Sequence, residues 1–211
     1  MTISPFFLLC SEEAMRDGVD EEGQSFAPVV VTRRLFLRPR ENRDHDSIGA
    51  LARNPRVAEN LFAAAGGVPG GPGESFVVIE RHSCTVIGAT GYGPMADRPA
   101  VFEIATWVGE PHWGAGYATE ATQALIDRAF LDPRIEVLWC ANRAMNDRAR
   151  RVIEKCGFQF RERGMVRSPA HRGAVPVERF VLERRNWMSL KAWGAHQLAE
   201  EPRDAPRDNA A

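Results

Sequence analysis

One segment, residues 104–121, constrains the fold of this chain more than any other. It begins with an apolar, β-prone run over 104–108, continues through a short loop that contains Pro111 and three small residues over 114–116, and ends in a helical pattern. This order predicts a strand, a glycine-rich turn and a helix. Glycine lets the backbone approach a ligand closely, and the first amide groups of a helix have no acceptor within it. The segment therefore predicts a phosphate-binding site.

The length of 211 residues suits one folded domain with terminal extensions. Residues 1–27 carry a net charge of −5 and residues 194–211 a net charge of −2, which leaves +6 on the body of the chain. We expect an acidic N-terminal extension over 1–27, a domain over 28–193 and a flexible C-terminal tail over 194–211. A basic body suits a polyanionic ligand such as a nucleotide, although a solvated arginine-rich surface is the more ordinary explanation.

Hydrophobic periodicity predicts an α/β domain in the order β-α-α-β-β-β-α-β-α-β-β. The predicted strands lie near residues 29–38, 75–80, 85–92, 101–108, 135–141, 158–163 and 175–183, and the predicted helices near 44–52, 56–65, 118–129 and 147–156. The glycine-rich run over 66–73 predicts a flexible connector. Three closely spaced strands over 75–108 favour an antiparallel meander, and the whole order implies a mixed sheet with helices on both faces.

No apolar run approaches the ~18 residues that a membrane span needs, and the N-terminal apolar run is too short for a signal-peptide core. The four cysteines lie far apart, without a Cys-x-x-Cys pair or a zinc-ligand spacing to histidine. Structural thiols in a reducing compartment are the ordinary interpretation of such cysteines. We therefore expect a cytoplasmic protein with no metal, no nucleic-acid partner and no membrane contact. We expect a monomer or a homodimer.

Three motifs follow one another along the predicted domain. Residues 32–39 read Thr-Arg-Arg-Leu-Phe-Leu-Arg-Pro, residues 113–121 read Trp-Gly-Ala-Gly-Tyr-Ala-Thr-Glu-Ala, and the third motif runs from Asn146 to the Glu-Lys-Cys-Gly-Phe of residues 154–158. Together they resemble the T-x-R-L-x-L-R-P, W-G-x-G-Y-A-T-E-A and N-x-x-S-x-x-V-x-E-K-x-G-F motifs of the RimJ/RimL-type branch of the GNAT N-acetyltransferases. The resemblance covers residues 28–187. It implies the GNAT fold, a mostly antiparallel sheet of about seven strands flanked by about four helices, with a splayed strand pair that holds coenzyme A.

The resemblance also implies an activity, which is transfer of an acetyl group from acetyl-CoA, as co-substrate, to a primary amine. The acceptor is a protein N-terminus or a small-molecule amine, attacked directly in a ternary complex. In such enzymes the pyrophosphate lies on the glycine-rich loop, and the pantetheine arm runs between two strands, here those that end near Val108 and Ala141. The implied cofactor-binding residues are Val108, Trp113, Gly114, Ala115, Gly116, Tyr117, Ala118, Thr119 and Asn146.

A dinucleotide-binding loop is the rival interpretation of the same glycines. Two observations oppose it. Four residues separate the predicted strand end from Gly114, whereas a dinucleotide fold turns almost at once. No acidic residue ends the next predicted strand, where one would bind a ribose.

Acetyl transfer needs an amine that has lost its proton, whereas a thiol with a pKa of ~8.5 leaves readily. A general base therefore matters more than a general acid. Glu103 is the first candidate base, because similar enzymes carry a glutamate early on the strand before the loop; a surface-facing strand residue is the alternative. His82 and His112 are weaker candidates, and Glu120, at the helix start, is more simply structural.

Two departures from the family pattern bear on catalysis. Ala149 stands where this branch usually carries serine, and Ile153 stands where many wider GNAT enzymes carry a tyrosine that acts as the general acid. A non-catalytic or weakly active acyl-CoA-binding module of the same fold is therefore the alternative function. Asn146 is explained equally well as a helix N-cap. Arg150 and Arg151 could reach a ribose phosphate, but solvated helix charges are the simpler interpretation.

The acceptor pocket is expected between the helices over 44–65, the connector 66–73 and the last hairpin around 168–176. Acidic residues that could attract a cationic amine there are Asp44, Asp46, Glu59 and Glu74, although ordinary surface charge is the default interpretation.

Overall fold

A computed structural model describes residues 30–61, 74–95, 98–167, 171 and 173–200, without the side chains of 194–200. The predicted acidic extension, the connector 66–73 and part of the predicted last hairpin lie outside the described residues. So does the predicted tail beyond residue 200.

The described residues form one sheet with five α-helices. The strands are β1 (Val30–Val31), β2 (Leu35–Pro39), β3 (Glu74–Glu80), β4 (Thr85–Met95), β5 (Arg98–Val108), β6 (Val137–Arg143), β7 (Gln159–Arg167) and β8 (Ala174–Glu183). The helices are α1 (His45–Ala52), α2 (Pro55–Ala58), α3 (Tyr117–Ala129), α4 (Asp147–Lys155) and α5 (Arg184–Glu200), with short 3₁₀ turns at Asn42–Asp44 and Glu110–His112.

The strand order is β1-β2-β3-β4-β5-β6-β8-β7, and every neighbouring pair is antiparallel except β5 and β6. The predicted mixed, mostly antiparallel sheet is therefore confirmed, and this topology excludes the parallel sheet of a dinucleotide-binding fold. The described residues hold eight strands, where the sequence predicts about seven. The extra strand arises because Thr32 forms a turn with Leu35, whose amide donates to the Thr32 hydroxyl at 2.9 Å, so that β1 folds back onto β2.

Two apolar clusters cover the two faces of the sheet. Alternate residues of a strand point to opposite faces, and in β2 Leu35 and Leu37 belong to one cluster while Phe36 belongs to the other. The larger cluster packs beneath α3, α4 and α5, through residues such as Leu125 and Ile153. The smaller cluster packs beneath α1 around Ile48.

Helix α5 continues to residue 200, past the predicted domain end at 193. Its first residue, Arg184, donates to the main-chain carbonyls of Phe130, Asp132 and Ile135, which joins the start of the helix to the loop after α3. Trp187 is buried, and its indole donates to Asp127 at 2.8 Å. None of the described helices is long and apolar enough to span a membrane.

The described cysteines are of two kinds. Cys140 and Cys156 are buried free thiols, as the sequence predicts for structural cysteines. Cys84 is disulfide-bonded, so the expectation of a free thiol is wrong for this residue, and no sequence spacing indicates the bond. Cys10 lies outside the described residues.

Candidate active site

Strands β5 and β6 run side by side for only a short distance and then separate. Their pairing extends from Phe102 opposite Leu138 to Ile104 opposite Cys140. Beyond this point β5 continues to Val108, paired only with β4, and β6 continues to Arg143, paired only with β8. The four residues 105–108 of β5 therefore border an opening in the sheet, which we call the cleft. Unpaired backbone edges of this kind can accept an extended ligand as an added strand.

The glycine-rich loop lies at the open end of the cleft, directly after β5. Gly114 and Gly116 have φ values of +80° and +81°, in the left-handed region that favours glycine. Residues 114–116 are all exposed. The Gly116 carbonyl accepts the first helical bond, from the Glu120 amide at 3.1 Å, and no side chain caps the helix. The amides of residues 117–119 thus have no acceptor within α3, which suits an anionic ligand.

Glu120 joins the first two sequence motifs, through bonds to residues that lie 86 and 88 positions earlier in the chain. Its carboxylate accepts hydrogen bonds from the Thr32 hydroxyl at 2.6 Å and from the amide and Nε of Arg34 at 2.8 and 2.7 Å. Burial by itself would raise the pKa of Glu120, but these hydrogen bonds outweigh it and hold the pKa below its ordinary value. The interpretation of Glu120 as a structural residue agrees with this arrangement.

Trp113 and Val108, both predicted cofactor residues, contact each other. The indole of Trp113 donates to the main-chain carbonyl of Val108 at 2.7 Å, so the loop is attached to the end of β5. The guanidinium groups of Arg56 and Arg148 lie 5.5 and 5.3 Å from the Trp113 ring centre. The ring therefore packs between α2 and the start of α4, and Arg148 brings a positive charge to the open end of the cleft.

A segment after α1, residues 54–60, contacts both sides of the cleft. On the β5 side, Asn54 donates to Glu110 at 2.7 Å and Arg56 forms an ion pair with the same carboxylate. On the β6 side, Arg143 donates to the carbonyl of Glu59 at 3.0 Å. We call residues 54–60 the bridging segment, because it bonds to residues on both sides of the cleft.

Asn146, the remaining predicted cofactor residue, serves as the N-cap of α4. Its Oδ1 accepts from the Ala149 amide at 3.0 Å, as the capping interpretation predicts. Its Nδ2 donates to Asn60 of the bridging segment at 2.9 Å. Among the polar atoms of the described residues, the Oδ1 of Asn142, four residues earlier on β6, is buried without a hydrogen-bond partner. An additional polar group, which sequence reasoning missed, therefore lies on the strand that borders the cleft.

Glu103 lies next to the closed end of the cleft. It is 8% exposed and stands between Phe102 and Ile104, which pack against the larger cluster. Its side chain consequently lies on the opposite face, the face of Trp107 and α1. In β6 its neighbour is Trp139, so an acidic and an aromatic side chain lie together on this face.

An ion-pair network lies beside Trp139. The Arg98 guanidinium lies 4.7 Å from the centre of the Trp139 ring and 2.9 Å from Glu162, which also binds Arg179 at 3.1 Å. The pKa of Glu162 is lowered, mainly by the hydrogen bonds from Arg98 and Arg179. The network is a second feature of this face that no sequence motif indicates.

The two histidine candidates lie far from Glu103. His82 occupies the turn before β4, and Glu103 pairs with Gly93, so about eight strand residues, or roughly 26 Å, separate them. His112 lies in the 3₁₀ turn after β5 and contacts the Tyr117 ring edge-on, with 6.3 Å between ring centres. Both histidines therefore lie toward the loop end of the sheet rather than beside Glu103.

No tyrosine hydroxyl is free to act as an acid near the cleft. The chain has two tyrosines. The Tyr117 hydroxyl donates to Glu80, which raises its pKa. Tyr92 is buried, and burial together with Glu74 raises its pKa to about 12. Ile153, where the family resemblance leads us to expect a general-acid tyrosine, is buried in the apolar core.

Two of the acidic residues predicted near the acceptor are committed to structural ion pairs. Asp44 is buried and binds Arg38 through two hydrogen bonds of 2.8 and 2.6 Å. Glu74 binds Arg128 of α3 through bonds of 2.9 and 2.8 Å. Neither carboxylate is available to attract an amine, which leaves Asp46 and Glu59 of the predicted set.

The fold and the cleft define a protein of the N-acyltransferase class, with a glycine-rich loop at one end of a split sheet and a buried carboxylate near the other. Comparison with known proteins agrees. Residues 34–159, more than half of the chain, match the model of the acetyltransferase (GNAT) domain. An uncharacterised N-acetyltransferase p20 from Bacillus licheniformis is 27% identical over 154 residues, which cover 66% of this chain and 85% of that protein.

Solved structures share the fold, and two of them serve as examples. A GCN5-related N-acetyltransferase from Brucella melitensis has a TM-score of 0.62 at 21% identity, covering 84% of this chain and 88% of that one. Spermidine N-acetyltransferase from Vibrio cholerae, in complex with CoA and spermine, has a TM-score of 0.61 at 16% identity, covering 74% and 99%. The chain belongs to the GNAT acetyltransferase family and is an acetyl-CoA-dependent acyltransferase.

Proposed function

We propose that this enzyme transfers the acetyl group of acetyl-CoA to a primary amine by direct attack in a ternary complex, with Glu103 as the general base. The proposal rests on the position of Glu103. It lies beside the last paired residues of β5 and β6, about 17 Å along β5 from the strand end where the glycine-rich loop begins. A donor whose phosphates rest on the loop and whose arm follows the cleft would present its thioester near this carboxylate.

The donor site follows from the loop. The amides of residues 114–119 would bind the diphosphate, while the edges of residues 105–108 and 141–143 would bind the pantetheine arm. Trp113 and Asn146 border the entrance through their contacts with Val108 and Asn60. Arg148 lies on the same side and would favour a phosphorylated donor.

Direct attack fits the described cysteines better than an acetyl-enzyme does. An acetyl-cysteine intermediate would require a thiolate nucleophile. Cys140 lies at the closing point of the cleft, but burial, together with the Glu103 carboxylate, raises the pKa of its thiol strongly. Burial raises the pKa of Cys156 to about 12. Both therefore remain neutral thiols near neutral pH.

The protonated amine loses two protons in the reaction, one before attack and one as the amide forms. Its nitrogen bonds to the acetyl carbonyl carbon, the carbon–sulfur bond breaks and the thiolate leaves with the electron pair. Glu103 accepts the first proton, directly or through a water, and the departing thiolate or solvent accepts the second. The thiol of coenzyme A has a pKa of ~8.5, so its thiolate is stable enough to leave without a proton from the tyrosine or serine hydroxyl that Ile153 and Ala149 lack.

The acceptor would approach from the α1 face, where Glu103 and Trp139 lie together. A carboxylate and an aromatic ring attract a protonated amine before it loses its proton. The acceptor is a protein N-terminus or a small-molecule amine, and the related Vibrio enzyme acts on spermidine. The motifs over residues 32–39 and 113–121 favour the RimJ/RimL-type branch, with Ala149 as a departure.

A thiol-release assay with acetyl-CoA and a panel of amines tests the proposal. Glu103→Gln should lower kcat by ~10²-fold or more, because the amine loses its general base. Its affinity for acetyl-CoA, measured by calorimetry, should stay at the wild-type value. Glu136→Gln makes the same chemical change at an exposed position before β6 and should leave kcat unchanged.

Near-normal turnover of Glu103→Gln across the pH range would remove Glu103 as the base. Tight binding of acetyl-CoA with no CoA release for any amine would instead support the alternative function, an acyl-CoA-binding module. The presence of Ala149 and Ile153 in place of two family hydroxyl groups favours that alternative.

A further inference from the structure

We infer that Arg34 positions the glycine-rich loop for the diphosphate of acetyl-CoA, a role that rests on the proposed function. Arg34 lies outside the loop, at the turn between β1 and β2. Its effect on the donor would be indirect, through the loop backbone. It is therefore a positioning residue and not a catalytic one.

Arg34 contacts the loop and the first turn of α3 at several points. Its Nη1 donates to the carbonyl of Ala115 at 2.8 Å, and its guanidinium lies 4.7 Å from the centre of the Tyr117 ring. Its Nε and its main-chain amide both bind the Glu120 carboxylate. At Gly116, an added β-carbon would lie only 3.3 Å from Nη2. One side chain thus contacts both the loop and the first turn of the helix, the two parts that would carry the phosphates.

The bond to the Ala115 carbonyl determines the direction of an amide group. In a planar trans peptide, the carbonyl of Ala115 and the N–H of Gly116 point in opposite directions. Arg34 holds the carbonyl on its own side, so the Gly116 amide is directed away from Arg34. A donor to the carbonyl also polarises the peptide and strengthens its N–H as a donor. The loop needs this support because its left-handed glycines can adopt many other conformations.

Arg34 also compensates a charge that would oppose phosphate binding. Glu120 lies in the first turn of α3, three residues after Tyr117, and its carboxylate is ionised. Without a cation beside it, this negative charge would repel a diphosphate at the helix start. The Nε of Arg34 lies 2.7 Å from the Glu120 carboxylate, so the guanidinium charge neutralises that of the carboxylate. The helix start therefore keeps its preference for anions.

The neighbouring Arg33 provides a matched control. It carries the same charge one position earlier and its side chain is exposed. Its main-chain carbonyl, which the substitution keeps, accepts a hydrogen bond from Arg81. Arg33→Ala therefore removes the same charge from the same turn without removing the contacts to residues 115–120.

The experiment compares two donors, acetyl-CoA and S-acetyl-pantetheine, which has the same arm without the diphosphate. Arg34→Ala should raise the KM for acetyl-CoA by about 10-fold to 100-fold, the range for lost hydrogen bonds to charged groups, with kcat nearly unchanged. Its kcat/KM with S-acetyl-pantetheine should stay at the wild-type value. Arg33→Ala should change neither. Arg34→Lys, which keeps the charge but cannot bind Ala115 and Glu120 together, should lie between the two.

Three results would overturn the inference. The first is an unchanged KM for acetyl-CoA in Arg34→Ala. The second is an equal loss of kcat/KM with both donors, which would indicate a merely structural role, and the third is an equal rise in KM in Arg33→Ala. If Arg34→Ala does not fold, Arg34→Lys supplies the same comparison. Calorimetry with CoA and with pantetheine measures the same difference without turnover, so a failure of the proposed function would remain distinguishable from a failure of this inference.

Discussion

The buried ion pair between Arg38 and Asp44, just before α1, should contribute measurably to the free energy of unfolding. Asp44 is 3% exposed and accepts three hydrogen bonds, two from Arg38 and one from the Glu41 amide at 2.8 Å. Asp44→Ala removes these acceptors and leaves Arg38, whose side chain is 10% exposed, as a buried cation. Breaking such a pair costs about 3–5 kcal/mol. The Glu41 carboxylate, 3.5 Å from Arg38, offsets part of this cost, so we predict about 3 kcal/mol.

The loss should depend on pH in one direction. Burial alone would raise the pKa of Asp44, but the hydrogen bonds from Arg38 and from the Glu41 amide hold it below its ordinary value of 3.8. A group with a lowered folded pKa contributes its full stability above the unfolded pKa and loses it as the pH falls through the folded pKa. The difference between wild type and Asp44→Ala should therefore be largest near pH 7 and shrink below about pH 4.

Urea denaturation at several pH values measures this difference, and a thermal melt should show a decrease in Tm of about 6–12 °C. Asp46→Ala, at an exposed position of the same helix, is the control and should cost about 0.5 kcal/mol. A loss below about 1 kcal/mol for Asp44→Ala, or an equal loss at pH 3 and pH 7, would refute the assignment of the stability to this pair.

Two further predictions concern the glycine-rich loop and its neighbour. Gly114→Ala and Gly116→Ala should each lower the free energy of unfolding by about 1–2 kcal/mol, because alanine is strained at a left-handed φ; equal stability of both variants and wild type in urea would contradict the loop conformation. Glu120→Gln should destabilise the fold by about 2 kcal/mol at pH 7, because it weakens the bonds to Thr32 and Arg34. The loss should be much smaller at pH 3, because the lowered pKa of Glu120 confines its contribution to stability to higher pH. A pH-independent loss in the same urea titration would exclude this linkage.

Local features of the fold were predictable because they depend on short stretches of sequence. Asn146 caps α4 as its residue type favours, and Gly157 ends that helix with a φ of +86°. The strand, glycine-rich loop and helix over 104–121 form in the predicted order. In each case the determining atoms lie within a few residues of one another, so periodicity and capping preferences suffice.

The contacts that assemble the candidate site were not predictable in the same way. Each motif was visible, but nothing in the sequence indicated that Arg34 and Glu120 bind each other, because their contact depends on the packing of α3 against β2. The bridging segment is a similar case, since Asn60 meets Asn146 only after β6 and α1 are placed. The role of Asp44 was also misjudged, because its burial against Arg38 is a tertiary property.

The position of β8 has a consequence for the order in which the domain can form during synthesis. β8 is the last strand in sequence, yet it lies inside the sheet, between β6 and β7. Strands β1 to β5 pair in chain order and can assemble as soon as residue 108 is available, whereas the edges of β6 and β7 that face β8 remain unpaired until residue 183 has been added. A nascent chain interrupted before that point would expose both of these edges to other chains, so the β6–β8–β7 part of the sheet is the last to be protected from aggregation.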